Sequence, residues 1–133
     1  MGQPAAAKSN SVVAVDTHIV LVPSPGGPVP TPLPHPFSGK LDGGLVDSVK
    51  LAGQPAAVKG STATNSPAHI ATPPGTSFQS PPADKGTVQA ASSTVLIGGK
   101  GAARLGDTVQ TCNDPADAPV GSIVVGTATV MAG

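Results

Sequence analysis

Three histidines and one cysteine are the residues of this chain best equipped for metal or nucleophile chemistry: His18, His35, His69 and Cys112. A lone cysteine forms no internal disulfide, so it is a buried small residue, a reactive thiol or a ligand. Taken singly, a histidine is most often a surface or hydrogen-bonding residue, and a cysteine a small hydrophobe. Together, three imidazoles and a thiolate make a permissible tetrahedral zinc set. Spacing supports the set. His18 lies 16 residues after Gly2 and His69 lies 16 after Gly53, each followed by Ile and a Pro-rich stretch, "HIVLVP" and "HIATPP". Cys112 lies 13 residues after Gly99, and His35 sits within "PLPHPF". Four protein ligands leave no position for a reacting water, so the site would be structural.

Other chemistry is thin. "GGKGAARLG" (98–106) is glycine-rich but lacks the GK[ST] ending of a phosphate loop. The chain has no Glu, which excludes HExxH metalloprotease chemistry, and no nucleophile-elbow pattern occurs. Metal-assisted hydrolysis would need an open coordination position and a base beside it. The sequence therefore predicts no enzyme. A small hydrolase with an open zinc site is the rival that would lose turnover on chelation.

The elements that must bring these ligands together come from a repeat. "GQPAAAKSN" begins at Gly2, "GQPAAVKGS" at Gly53 and "GKGAARLGD" at Gly99, with Lys8 and Lys59 standing for the arginine of the third copy. Strand-like lead-ins precede the second and third copies, "SVKLAG" (48–53) and "TVLIGG" (94–99), and the chain closes on a matching "ATVMAG" (128–133). The repeats are cyclically permuted, which predicts that the termini meet. Three strand-turn units should surround a pseudo-threefold axis, with turns near 2–10, 53–61 and 99–107 and small alanines close to it. Each repeat then delivers one candidate ligand to the same height, and His35 supplies the fourth.

Composition sets the fold class. With 17 Gly, 16 Pro, two Phe and no Trp or Tyr in 133 residues, helices have few windows to form in. The β-branched runs "VVAV" (12–15), "HIVLV" (18–22), "TVLIG" (94–98) and "SIVVG" (122–126) argue against disorder. One all-β domain over residues 1–133 is expected, with Pro-rich loops at 23–39, largely polyproline II, and at 72–86. Such a chain cannot fasten its loops by apolar burial alone, and small domains in that position recruit a metal. Seven Lys and Arg balance seven Asp without a basic cluster or aromatic platforms, which argues against nucleic acid as a partner. The N-terminus lacks the pattern of a secretory signal, so synthesis in the cytoplasm is expected.

The phrases "GQPAAAKSN", "GQPAAVKGS" and especially "GKGAARLGD" resemble the PAAR-repeat proteins over essentially the whole chain. That resemblance implies a small cone capping the trimeric, VgrG-like spike of a contractile injection machine: a type VI secretion system, an extracellular contractile particle or a phage-like tail. It implies one structural zinc ion near the apex, held by three His and one Cys, here His18, His35, His69 and Cys112. It also implies a base that meets the spike, one tip per trimer, for which segments 48–53, 94–99 and 128–133 are expected, with Leu51, Ile97 and Met131 as apolar contributors. The tip would touch a target membrane in passing and would carry no toxin extension or self-association. The alternative is a zinc-stabilised adaptor whose Pro-rich loop, with its PxxP spacings, binds a partner domain.

Overall fold

The computed structural model describes residues 2–133 and, among them, contains strands and turns without a helix. The first repeat contributes β1 (Gln3–Ala5), β2 (Ser11–Val22) and β3 (Val29–Gly43). The second contributes β4 (Val46–Leu51), β5 (Gln54–Ala56), β6 (Thr62–Asn65), the two-residue β7 (Ser77–Phe78) and β8 (Lys85–Val88). The third contributes β9 (Leu96–Ile97), β10 (Lys100–Gly101), β11 (Thr108–Thr111) and β12 (Ala118–Ile123), and β13 (Thr127–Ala132) ends the chain. The long strands run β12-β11-β8-β6-β3-β2, and β12 also pairs with β2, so six strands close into a ring of three hairpins. Closure removes the free edges that an open sheet of this size would carry. The short strands form three separate two-stranded sheets: β1–β13, β4–β5 and β9–β10.

The pseudo-threefold axis is written in backbone hydrogen bonds. The Ala6 N–H donates to Ala103 O (2.8 Å), Ala103 N–H to Ala57 O (3.0 Å) and Ala57 N–H to Ala6 O (3.0 Å). All three alanines are fully buried, since only a methyl group fits where three backbones converge. Each unit then turns at a residue with positive φ: Ser9 (73°), Gly60 (92°) and Gly106 (89°). The next residue locks the turn from its side chain. Asn10 Oδ1, Ser61 Oγ and Asp107 Oδ2 accept the N–H groups of Ala7, Val58 and Arg104 at 2.7, 2.9 and 2.7 Å, the local capping chemistry that Asn, Ser and Asp favour. Above the turns, Val12, Ala63 and Val109 make one buried layer and Leu41, Val88 and Ile123 another. The second layer is tied back by Leu41 N–H to Asn10 O, Val88 N–H to Ser61 O and Ile123 N–H to Asp107 O.

The termini meet: Gln3 pairs with Ala132 and Pro4 with Met131. Two details of the repeat alignment are corrected by this register. The bridges Ala5↔Arg104, Ala7↔Ala56 and Val58↔Ala102 make Ala7 and Val58 the counterparts of Arg104, so Lys8 and Lys59 correspond to Leu105. Gln54 pairs with Leu51 and Lys100 with Ile97, so the counterpart of these two near the C-terminus is Ala132 rather than Met131.

The Pro-rich segment 23–39 is not a polyproline loop. From Val29 onward it is strand β3, paired with β2 from Val22↔Val29 to Ser11↔Lys40. Pro30, Pro32, Pro34 and Pro36 fall on alternate positions with exposed rings, while Leu33, His35 and Phe37 face inward. The even-numbered residues turn their backbone away from β2: Pro34 O accepts the Thr72 hydroxyl (2.9 Å) and Ser38 O accepts Ser66 N–H (3.0 Å). Every proline thus spends its missing N–H where no ladder partner waits, and blocks that edge against foreign strands. Replacing Pro32 and Pro34 together by Thr should leave the fold intact but expose donors, giving concentration-dependent association by size-exclusion chromatography. An unchanged monomer at high concentration would contradict this. The second Pro-rich segment, 72–86, runs irregularly around β7 only as far as Asp84, and Lys85 and Gly86 already belong to strand β8.

Candidate metal centre

β2 carries the chain from the turn at Ser11 away from the alanine ring to His18, a rise of about 23 Å at strand geometry. Val12, Ala14, Asp16, His18 and Val20 share its inward face, so the apolar layers give way to two polar side chains on one pleat. His35 projects from β3 directly opposite Asp16 in the ladder. His69 follows β6 and is held by Asp84, whose Oδ1 accepts the His69 backbone N–H (2.8 Å) and the Asn65 amide (3.0 Å). Cys112 follows β11, with its N–H on Lys85 O (3.2 Å).

The three hairpins and their loops bring all four sequence-predicted ligands to one end of the barrel. His18, His35 and Cys112 are buried, and the His69 side chain is 2% exposed. The imidazole centroids lie 5.4 Å (His18–His35), 4.9 Å (His18–His69) and 5.7 Å (His35–His69) apart. Phe78 packs edge-on against His18 and leans on His35. The tightest set of donor atoms is Asp16, His18, His69 and Cys112, which lie within 4.8 Å of one another. Cys112 Sγ stands 3.7 Å from His18 Nε2 and 3.5 Å from Asp16 Oδ2, and His69 Nε2 lies 2.9 Å from Asp16 Oδ2. Donors on a tetrahedral zinc ion stand about 3.3–3.8 Å apart, so the cluster fits such an ion with small adjustments. Thr111 and Asn113 donate to the other carboxylate oxygen, Oδ1.

Sequence reasoning missed Asp16. Its signal was a charged residue at an inward position of the period-2 run "SVVAVDTHIV". His35 sits beside the cluster with both ring nitrogens engaged: Nδ1 on Leu33 O (2.9 Å) and Nε2 on Thr72 N–H (3.1 Å). Burial, opposed by its bond to Leu33, holds the His35 pKa below the usual value. Burial, reinforced by the negative Asp16, pushes the Cys112 thiol up to about 11. A metal must therefore displace a proton to gain the thiolate, and binding weakens in acid.

His18 Nδ1 is the one buried side-chain nitrogen or oxygen among the described residues left without a hydrogen bond. Asp114 Oδ2 lies 3.4 Å away and is itself fixed by Ile19 N–H at 2.9 Å. A small shift closes that gap, giving a carboxylate–imidazole pair that leaves Nε2 as the metal-facing nitrogen. Asp114→Asn should weaken zinc binding by about tenfold to a hundredfold, measured by chelator competition. Affinity equal to the parent would remove Asp114 from the site.

At the opposite end, Leu51 is buried and Ile97 half-buried in an alanine-rich cluster, whereas Met131 is 58% exposed. Leu96, on the outer side of β9, is 63% exposed and was not singled out from sequence. Beside the donor cluster lies a cavity of about 350 Å³ lined by His35, Asn65, His69, Ile70 and Thr72 among others.

Residues 79–133, which hold the third unit, Cys112 and the closing strand β13, match the PAAR motif family. No curated protein and no solved structure matches the chain.

Proposed function

We propose that this chain, whose residues 79–133 match the PAAR motif family, is the structural tip of a contractile injection machine, capping the trimeric β-helical spike. The observation that carries this reading is the ring at Ala6, Ala57 and Ala103. One chain presents three near-equivalent hairpins about an axis, so a single copy can address three identical subunits. A trimeric spike ends in three strand edges, a liability that a threefold cap relieves. The two-stranded sheets β1–β13, β4–β5 and β9–β10 form the docking end, with Met131 and Leu96 offering exposed apolar contact and Leu51 and Ile97 in the alanine-rich cluster of the same end.

At the other end, one structural zinc ion draws β2, the β6–β8 loop and the end of β11 into a point. His18, His69 and Cys112 are three of its ligands, and His35 is the fourth that the resemblance implies. Zinc supplies cross-linking there and no reaction. Rigidity at the apex concentrates the force of contraction on a target membrane, so the protein works mechanically, at the end of a type VI, extracellular or phage-like particle. The adaptor alternative is disfavoured because Pro30 to Pro36 lie in a sheet ladder rather than a polyproline helix.

The test is stoichiometric. Native mass spectrometry of the protein with the trimeric spike of its own machine should give one copy per trimer. No complex, or three copies per trimer, would refute the cap.

A further inference from the structure

We infer that the cleft at the seam between the second and third units binds an acidic peptide segment of a protein partner other than the spike. The inference goes beyond the cap reading and stands on the chemistry of the seams.

Three equivalent backbone bonds define those seams. Lys8 N–H donates to Pro55 O (2.9 Å), Lys59 N–H to Gly101 O (2.9 Å) and Leu105 N–H to Pro4 O (2.8 Å). A second set, Ser9 N–H to Leu41 O, Gly60 N–H to Val88 O and Gly106 N–H to Ile123 O, makes the next residues, Asp42, Gln89 and Val124, counterparts. The backbone repeats, but the side chains do not. The first seam holds a cavity of about 300 Å³ lined by Lys8, Asp42 and Asp47 among others. The second holds a larger one, about 510 Å³, lined by Lys59, Lys100, Gln89 and Gln110 and by no carboxylate. At the third, Leu105 and Val124 are uncharged, and Gly126 lies so close that a Cβ on it would meet the Pro4 ring at 2.8 Å.

The basic seam arises where the repeat departs from itself. The first two copies read Gly-Gln-Pro at 2–4 and 53–55, and the third reads Gly-Lys-Gly at 99–101. Lys100 thus replaces a glutamine, and Gly101 a proline ring, in the cleft that already holds Lys59. Both lysines are exposed, and among the described residues neither has an ion-pair partner.

The donors in the cleft select the anion. The Lys59 and Gly60 N–H groups are bonded to Gly101 O and Val88 O, so this turn offers no nest of backbone N–H groups to grip a phosphate. The cleft instead offers two ammonium groups acting as point charges and two side-chain amides, Gln89 Nε2 standing 3.4 Å from Gln110 Oε1. Ammonium groups suit carboxylates, and primary amides both donate to and accept from a peptide backbone. Symmetry excludes the spike as the source. A threefold partner presents the same group at every seam, and an acidic group that suits Lys59 and Lys100 would meet Asp42 and Asp47 at the first. The occupant is a single chain, bound once per tip.

The probe is a blocked peptide of alternating Glu and Gly, titrated into isotope-labelled full-length protein and followed by amide NMR shifts. The same peptide with Gln for Glu and inorganic phosphate serve as companions. Saturable shifts are expected around Lys59, Gln89, Lys100 and Gln110. Lys59→Gln combined with Lys100→Gln should weaken binding about tenfold, the scale of two exposed charge pairs, whereas Lys8→Gln should not change it. Raising the salt from about 0.05 M to about 0.5 M should weaken it too. The altered side chains are exposed, and each variant's own spectrum reports its fold. Equal binding of the Gln peptide or of phosphate, shifts centred on Lys8, or full affinity in the double variant would overturn the assignment. Added trimeric spike should leave the peptide bound; its displacement would place the cleft in the spike interface and overturn the assignment as well. A protein that takes the peptide but no spike would refute the cap and leave this site standing.

Discussion

Cys112→Ser is expected to lower the thermal midpoint by about 10–20 °C in the presence of zinc. The estimate follows from linkage. An ion present at about a thousand times its dissociation constant stabilises the fold by about 4 kcal/mol. Each kcal/mol moves the midpoint of a domain of this size by roughly 3–5 °C. The loss is concentrated where the molecule has least else to hold it. Above the layer of Leu41, Val88 and Ile123 the interior holds Asp16, His18 and His35 beside Phe37 and Val20. Three of those five side chains are polar, so apolar burial contributes less there than in the layers beneath, and an ion bound among them would supply a larger share of the cohesion. Calorimetry of the parent with and without a chelator, beside the variant, checks this. The variant should match the chelated parent and be indifferent to added zinc. A variant within about 3 °C of the zinc-loaded parent would mean that the ion does not hold the apex.

The second large effect is expected at the opposite end. Ala57→Leu should cost about 3 kcal/mol or more, the upper range for forcing extra methylene groups into a packed interior. Ala57 is fully buried, and it both donates to Ala6 O and accepts from Ala103 N–H. A larger side chain cannot swing outward, because all three backbones converge there and each bond of the ring depends on the other two. Lys59→Ala, two residues on at an exposed position, should change stability by no more than about 0.5 kcal/mol and serves as the control. Urea unfolding of the three proteins measures both. If Ala57→Leu unfolds at the parent's midpoint, the alanine ring is not the closure of the fold.

The repeat phrases made the threefold plan legible because a ring of backbone bonds forces the same small residues and the same turn chemistry three times: Ser9–Asn10, Gly60–Ser61 and Gly106–Asp107. His18 and His69, two members of the buried donor cluster, were legible because each lies 16 residues after the glycine that opens its repeat. Three features were not. Alternating prolines read as a polyproline loop, because period-2 proline suits an extended chain of either kind. Only the register with β2 reveals that one backbone edge of 30–36 has no neighbour to donate to. Asp16 went unremarked because a lone aspartate among β-branched residues is ordinary until its face of the strand is known to be inward. Met131 was matched to Leu51 and Ile97 because the chain break adds residues at the one turn that the other two units make continuously, shifting the pairing by one.

The pairing of β1 with β13 bears on how the molecule comes into being. On the ribosome, residues 3–5 emerge more than a hundred residues before their ladder partner, 127–132. The alanine ring likewise joins Ala6 to Ala103 and Ala57, so no third of it can close early. Contacts so distant in sequence slow folding and leave partly made chains exposed to association. The β2–β3 hairpin, local and long, is the segment able to form first, and it holds Asp16, His18 and His35 in place while the rest is being synthesised. The finished ring is therefore a checkpoint on completeness. A prematurely terminated chain lacks both the strand that seats its own N-terminus and the thiol of Cys112, and fails at both ends of the barrel.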